Sequence, residues 1–297
     1  MIPDNATVPD RPDRRDLSER SVAALFALAI EQETHFGARD KWPQPAWYAY
    51  QELQYRGTAE VFEAACRALG ADDPTVRGVG ADVLAQLGYP QGGTFVAEAV
   101  DALVKRARDE EHPGVLEAIA FALGHRASPA GRDTLFSLAR HTSPEIRYAV
   151  ATGLWAVAIK SAAGDDDDPE VVAVHLELMR DPDPQVRNWA TFGLGTQLTA
   201  DTAEIRAALT DRLPDPDEET REEAVCGLAN RRDEAAFQPL LEYLRSGSAG
   251  VGCIQAAEAW GDARFIDVLT RVRDPQPDVA PAAEAAIPDG SAPRGLT

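Results

Sequence analysis

The sequence predicts an all-α fold: a superhelical solenoid of about seven helical hairpins, capped at its N-terminal side by one further helix. Three observations carry that expectation. One template of about fifteen residues recurs along the chain. Each copy has the capping residues and apolar spacing of a helix, and each is followed by a second stretch with apolar residues at intervals of three and four. No segment shows the period-two alternation of a strand.

The template emerges when five stretches are aligned: DDPTVRGVGADVLAQLG (72–88), EHPGVLEAIAFALG (111–124), TSPEIRYAVATGLWA (142–156), DPDPQVRNWATFGLG (181–195) and DPDEETREEAVCGLA (215–229). Each holds an anchor, Val76, Val115, Ile146, Val186 or Thr220, and a leucine eight positions later, Leu84, Leu123, Leu154, Leu194 or Leu228. The anchors stand 39, 31, 40 and 34 residues apart. Two looser copies extend the array. PQPAWYAYQEL places Leu53 at the leucine position, and VGCIQAAEAWGD places Trp260 there.

The elements follow in chain order. Residues 1–15 and 288–297 are rich in Pro, Gly and polar residues and are expected to be disordered tails. LSERSVAALFALAIEQETHF (17–36) reads as a capping helix within a segment spanning 16–40, with Asp16 and Glu19 placed as a capping box. The repeat region is expected to span 41–287. Within each copy, Asp73, Ser143, Asp183 and Asp217 suit helix N-caps, because a side-chain oxygen accepts a bond from the orphan amides of the first turn. Pro74, Pro144 and Pro184 then fall at the first helical position, where a missing N–H costs nothing. Counting the anchor as 0, apolar residues at 0, +4 and +8 share one face. Gly124, Gly195 and Gly261 at +9 are expected to end their helices. Gly193-Leu194-Gly195 is therefore a helix end and not a phosphate loop, since it follows no strand and lacks the GxGxxG spacing. The second helices are read at 94–108, 131–140, 169–180, 202–213, 234–245 and 263–273. Neither helix of a pair can bury its stripe alone, so the pairs must stack.

Composition narrows function. Asp and Glu outnumber Lys and Arg by 49 to 29, a formal charge of −20. Nucleic-acid binders gain affinity by neutralising phosphates, so DNA and RNA are disfavoured as partners, and so is an anionic membrane surface. Basic proteins and cations are attracted. The longest apolar run, 22–30, is too short to cross a bilayer. The N-terminus has no apolar signal core, and Cys66, Cys226 and Cys253 follow neither a disulfide framework nor a zinc pattern. The expectation is a cytoplasmic protein with three reduced thiols.

The hairpin, its period and the pattern (D/S)PxVRxxAxxxLG resemble the HEAT repeats of the phycobilin-lyase-like type, an armadillo-like superhelix, over residues 45–287. The resemblance is fairly specific for the fold and nearly silent on function, and the several activities it suggests are tested residue by residue. Deoxyhypusine hydroxylases of this kind hold two irons with His-Glu pairs at +2 and +3 of several first helices. Here those places hold Gly78-Val79, Glu117-Ala118, Tyr148-Ala149, Asn188-Trp189, Glu222-Glu223 and Ile254-Gln255, and the chain contains no His-Glu pair. His35, His112, His125, His141 and His175 are scattered over helix ends and loops. The run Asp165, Asp166, Asp167 and Asp168 lacks the calcium-loop pattern and reads as a solvated linker whose last member caps a helix. A bilin lyase is implied only by the family, and the acidic balance opposes a DNA glycosylase. No metal or cofactor is expected.

The remaining feature is a groove. Positions +2, +3 and +6 need not face the packed seam, and they hold Trp47, Tyr48, Phe121, Tyr148, Trp189 and Phe192 among Glu117, Asn188, Glu222 and Glu223. Large aromatics give much contact area with few rotamers, which suits binding surfaces; packing between repeats is the competing role. Arg77, Arg147, Arg187 and Arg221 at +1 are expected to bond acidic caps of adjacent repeats. The sequence reading is thus a non-enzymatic scaffold or adaptor that binds a protein partner, with a basic one favoured by charge. The alternatives are an immunity-type inhibitor of a basic toxin, and an enzyme using carboxylate catalysis from Glu117 or Glu223.

Overall fold

The computed structural model describes residues 17–36, 45–161 and 167–273. Among these residues there are fifteen α-helices and no strand. Helix α1 (Val22–Phe36) precedes seven hairpins: α2 (Pro45–Arg56) with α3 (Ala59–Leu69), α4 (Pro74–Ala85) with α5 (Val96–Asp109), α6 (Pro113–Arg126) with α7 (Arg132–Leu138), α8 (Pro144–Ser161) with α9 (Pro169–Leu178), α10 (Pro184–Phe192) with α11 (Ala203–Thr210), α12 (Glu218–Asn230) with α13 (Phe237–Ser246), and α14 (Val251–Trp260) with α15 (Ile266–Arg273).

The caps form largely as their chemistry dictates. Asp73 accepts from the Thr75 amide, Asp183 from Gln185 and Val186, and Asp217 from Thr220. Ser143 differs: its hydroxyl donates to the Glu145 carboxylate at 2.6 Å. Helix α1 starts later than expected, because the Ser21 hydroxyl accepts from the Ala24 amide and residues 17–20 make a turn of their own. Asp16 lies outside the described residues, as do the two tails, Asp165 and Asp166. Asp168 caps α9 through the Glu170 amide, and Asp167 accepts from the amides of Thr199 and Ala200 in the next repeat.

All five leucines at +8 are fully buried, and so are the anchors except Val76, which is half-buried. In α14, the first helix of the last repeat, the buried residues are Cys253, Ala256 and Ala257. Trp260 does not hold the leucine place: it is half-buried and rests against Phe237 and Phe265. The copy there was aligned on the only bulky residue at the right distance, whereas the helix seats small ones.

Two sets of arginines tie the repeats together. At +1, Arg77 makes a two-pronged pair with Glu110, Arg147 with Asp181 and Arg187 with Asp215, at 2.6–3.0 Å. Each acceptor lies two residues before the N-cap of the next first helix, and it also takes that residue's amide, from His112, Asp183 or Asp217. Burial works to raise the Glu110 carboxyl, but Arg77, the His112 amide and Arg106 outweigh it and hold it at about 2. Arg221 binds only carbonyls, those of Asp215 and Pro216. The second set stands at +11. Arg56 donates to the carbonyls of Leu17 and Ser18, Arg126 to Leu84, Leu87 and Thr94, and Arg231 to Leu194, Gly195, Leu198 and Ala200. These guanidiniums satisfy carbonyls that the end of the preceding element leaves unpaired.

First helices stack on first helices more closely than second helices on second helices. The reason is in the glycines. A Cβ on Gly153 would lie 2.5 Å from the Gly124 Cα, and one on Gly227 would lie 2.6 Å from the Gly195 Cα. Gly124 therefore does not end its helix, which runs on to Arg126; it admits a neighbouring backbone. Gly195 lies in a π-helical turn that follows α10, and Gly261 does end α14, with φ 72°.

Candidate functional site

At about 100° per residue, core positions 0, +4 and +8 centre on one side of a first helix, and +2 and +6 lie opposite. Those positions therefore turn away from the second helices. Phe121, Tyr148 and Phe192 are half-buried there, Trp189 is half-buried beside them at +3, and the four join into one array. Phe121 meets Tyr148 with ring centroids 5.7 Å apart, Tyr148 meets Trp189 at 6.3 Å and Trp189 meets Phe192 at 5.5 Å. Every pair is edge to face, between 74° and 83°. Phe121, Tyr148 and Trp189 also pack against the hydrophobic core, the competing role weighed from sequence.

The array has a fifth member that the sequence reading missed. Trp155 is half-buried and meets Phe192 at 6.5 Å and 85°. It stands at +9, where the flanking repeats carry Gly124 and Gly195. Position +9 faces +7 of the next first helix, so the seams read Gly124 against Gly153, Trp155 against Gly193, and Gly195 against Gly227. A tryptophan at a glycine position was the available signal. Its seam is irregular in two further ways. The chain leaves α10 through the π-helical turn Gly193–Gln197. His175 of α9 is fully buried beneath it, with Nδ1 bonded to the Val171 carbonyl at 2.9 Å. A Cβ on Gly193 would come within 2.5 Å of His175 Nε2. Burial pushes the imidazole down to about 4, so it is neutral at physiological pH.

Trp47 and Tyr48 meet each other at 5.1 Å on α2. The helix between them and Phe121, α4, carries Gly78, Val79 and Asp82 at the corresponding positions, so the aromatic run is interrupted there. Glu117 is half-buried on α6.

Asn188, Glu222 and Glu223 gather at the other end of the array. Asn188 donates Nδ2 to Glu219 at 3.1 Å, and its Oδ1 is buried without a partner. Glu222 accepts from the Gly250 amide at 2.5 Å, and Glu223 from the Thr196 hydroxyl at 3.4 Å. Burial, and then the nearby charges of Glu222 and Glu219, push the Glu223 carboxyl up to about 7, against the hydrogen bond from Thr196.

The cysteines correct the expectation of three reduced thiols. Cys226 of α12 and Cys253 of α14 are joined in a disulfide, and Cys66 alone is free. Their separation of 27 residues, about one repeat, brings the two onto facing first helices. Glu222 lies beside them, with all three potential ligand atoms within 4.8 Å of one another, but sulfurs bonded to each other supply no thiolate. The +2 and +3 positions likewise bring no imidazole to a carboxylate, so the residues present do not fit a di-iron centre. No described helix is long and apolar enough to cross a membrane.

A family profile for HEAT repeats matches residues 100–174 and 172–261. Among curated proteins, the chain is 32% identical over 103 residues to protein YibA of Escherichia coli strain K12; that match spans 35% of this chain and 36% of YibA. The X-ray structure of E. coli YibA superposes on 88% of this chain and 89% of its own, with a TM-score of 0.63 at 22% identity, a likeness of fold. The complex of CpcE and CpcF of phycocyanin lyase from a Nostoc species and human deoxyhypusine hydroxylase cover 86% and 88% of this chain and 85% and 93% of their own. At TM-scores of 0.39 and 0.36, with 15% and 20% identity, they carry no argument. With residues 100–261 matched, more than half of its length, the chain belongs to the HEAT-repeat family.

Proposed function

We propose that this chain is a binding scaffold whose first-helix face docks a protein partner, and that it acts by binding and not by catalysis. One observation carries the reading: five half-buried aromatic rings, Phe121, Tyr148, Trp189, Phe192 and Trp155, run unbroken across three adjacent repeats. Folding alone needs residues such as Leu84 or Leu123 on the buried side. Rigid rings on the opposite side offer large contact area at low entropy cost, and such residues dominate interface energetics. The formal charge of −20 favours a basic partner and fast association with it. An immunity-type inhibitor of a basic toxin is one form this takes, distinguished by a single partner held at fixed stoichiometry.

The test uses the full chain and its Trp189→Ala variant. Cross-linking in native lysate should map a partner to α8 and α10 in the wild type and lose it in the variant, with melting temperatures alike. A partner retained at full strength by the variant, or a variant that merely unfolds while Tyr148→Ala still binds, would overturn the reading. Carboxylate catalysis is the second reading, favoured by the Glu223 carboxyl at about 7, the range of a general acid or base. It requires turnover that Glu223→Gln abolishes.

A further inference from the structure

The buried acids among the described residues, Glu110, Asp181 and Asp215, are neutralised by arginine, and so is the half-buried Asp233. Glu110 has Arg77 and Arg106, Asp181 has Arg147, Asp215 has Arg187 and Arg212, and Asp233 has Arg206. Glu222 and Glu223, half-buried on α12, and Glu219, exposed one turn before them, have no such counter-charge. They follow one another along α12, and among the described residues none of them is paired with Lys or Arg. Their partners are the Asn188 amide, the Gly250 amide and the Thr196 hydroxyl. The nearest arginines are committed: Arg187 to Asp215, and Arg221 to backbone carbonyls. The π-helical turn Gly193–Gln197 brings no charge, and the one charged residue on α14 is Glu258.

This unpaired charge adjoins the aromatic array. Glu223 stands at +3 of its helix as Trp189 does one repeat earlier, and Glu222 stands at +2 as Asn188 and Tyr148 do. Tyr148 and Trp189 meet at 83°, and Trp189 and Phe192 at 82°. Rings set nearly at right angles form corners, and corners of this kind with carboxylates at hand hold ammonium and guanidinium groups through the ring quadrupole and the charge together.

We propose that the junction of α10 and α12 receives an arginine or lysine side chain from a basic segment of the docked protein, held between the Trp189 corner and the Glu219, Glu222 and Glu223 carboxylates. This rests on the docking reading above and names the chemistry at its acidic end. An entering cation supplies the kind of counter-charge that arginines give Glu110, Asp181 and Asp215. It also favours ionisation of Glu223, so binding should tighten as pH rises through about 7.

A short peptide alternating Gly and Arg, titrated into the full chain by calorimetry with tryptophan fluorescence in parallel, tests this. Saturable binding is expected, with Gly-Glu and Gly-Ser peptides silent. The Glu222→Gln/Glu223→Gln double variant should weaken binding about tenfold, and so should Trp189→Ala. A charge-matched control, Glu98→Gln/Asp101→Asn on the exposed face of α5, should change it by less than about twofold. Binding in the wild type should also weaken several-fold between about pH 8 and pH 6, and this dependence should vanish in the double variant. Equal losses in the site and control variants would mean general attraction to an acidic protein and would overturn the proposal, as would no loss in either. Should the cross-linked partner survive in the double variant yet vanish in Trp189→Ala, the cation site fails and the docking face stands. Should it survive in both, both readings fail.

Discussion

Two seams of the same stack differ by one side chain. Between α6 and α8 glycine faces glycine, Gly124 on Gly153, and the backbones come into contact. Between α8 and α10, Trp155 takes the first of those places against Gly193. The ring needs room, and this seam is the looser one. Around it lie the π-helical turn, the buried His175 and most of the aromatic array. Departures of this kind from regular helix are frequent at functional sites. A repeat protein can thus hold a regular stack on both sides of one irregular junction, and the aromatic rings collect at the irregular one.

Substitutions at the seams would break or sharpen this contrast. The largest effect is expected at the tight seam. Gly153→Leu drives a side chain into the Gly124 backbone, which cannot move without parting two helices, so it should cost about 3 kcal/mol or more of stability. Chemical denaturation would show it, and a loss under about 1 kcal/mol would mean that the stack yields freely. At the loose seam, Trp155→Ala removes a half-buried ring without creating a clash and should cost about 2 kcal/mol. If it costs more than Gly153→Leu, the ordering of the two seams is wrong.

Glu223→Gln has a smaller and pH-dependent effect. The folded-state carboxyl at about 7 lies above its ordinary 4.5, so the wild type binds the extra proton when folded and loses stability as pH rises through about 7. Glutamine suffers no such loss. The variant should therefore be more stable by about 1 to 2 kcal/mol near pH 8, after allowance for solvent screening, and equal to wild type below about pH 4.5. Melting curves over that range test the sign as well as the size. The smallest effect is at Gly78, a first-helix glycine outside any seam. A Cβ there meets nothing within 4 Å, so Gly78→Ala should raise stability by about 0.5 to 1 kcal/mol. A loss there would show that position +2 of α4 is covered.

Part of the aromatic array was legible. Phe121, Tyr148 and Phe192 follow from helical spacing, because +2 and +6 fall away from a core at 0, +4 and +8. Trp189 does not, because +3 is buried in three other repeats, at Val79, Ala118 and Ala149. The +1 arginines were expected to bond acidic caps of adjacent repeats; Arg77, Arg147 and Arg187 instead bond acids two residues ahead of the caps, and Arg221 bonds carbonyls. Trp155 was not legible, because +9 had been assigned to helix termination, and a residue that faces a neighbouring repeat looks in sequence like one that ends its own. The +11 arginines escaped notice because they serve carbonyls, which every residue has and no sequence pattern marks.

The sequence by itself determined the repeat, the capping and the buried side of each helix. Those depend on residues within one turn or one repeat of each other, where spacing is geometry. Only the tertiary structure decided which glycines meet, that Cys226 and Cys253 lie together, and that Glu219, Glu222 and Glu223 are left without a counter-charge beside an aromatic corner. Those facts depend on how adjacent first helices are set against each other, and that is fixed by the steric fit of a whole seam. No single repeat contains both sides of it.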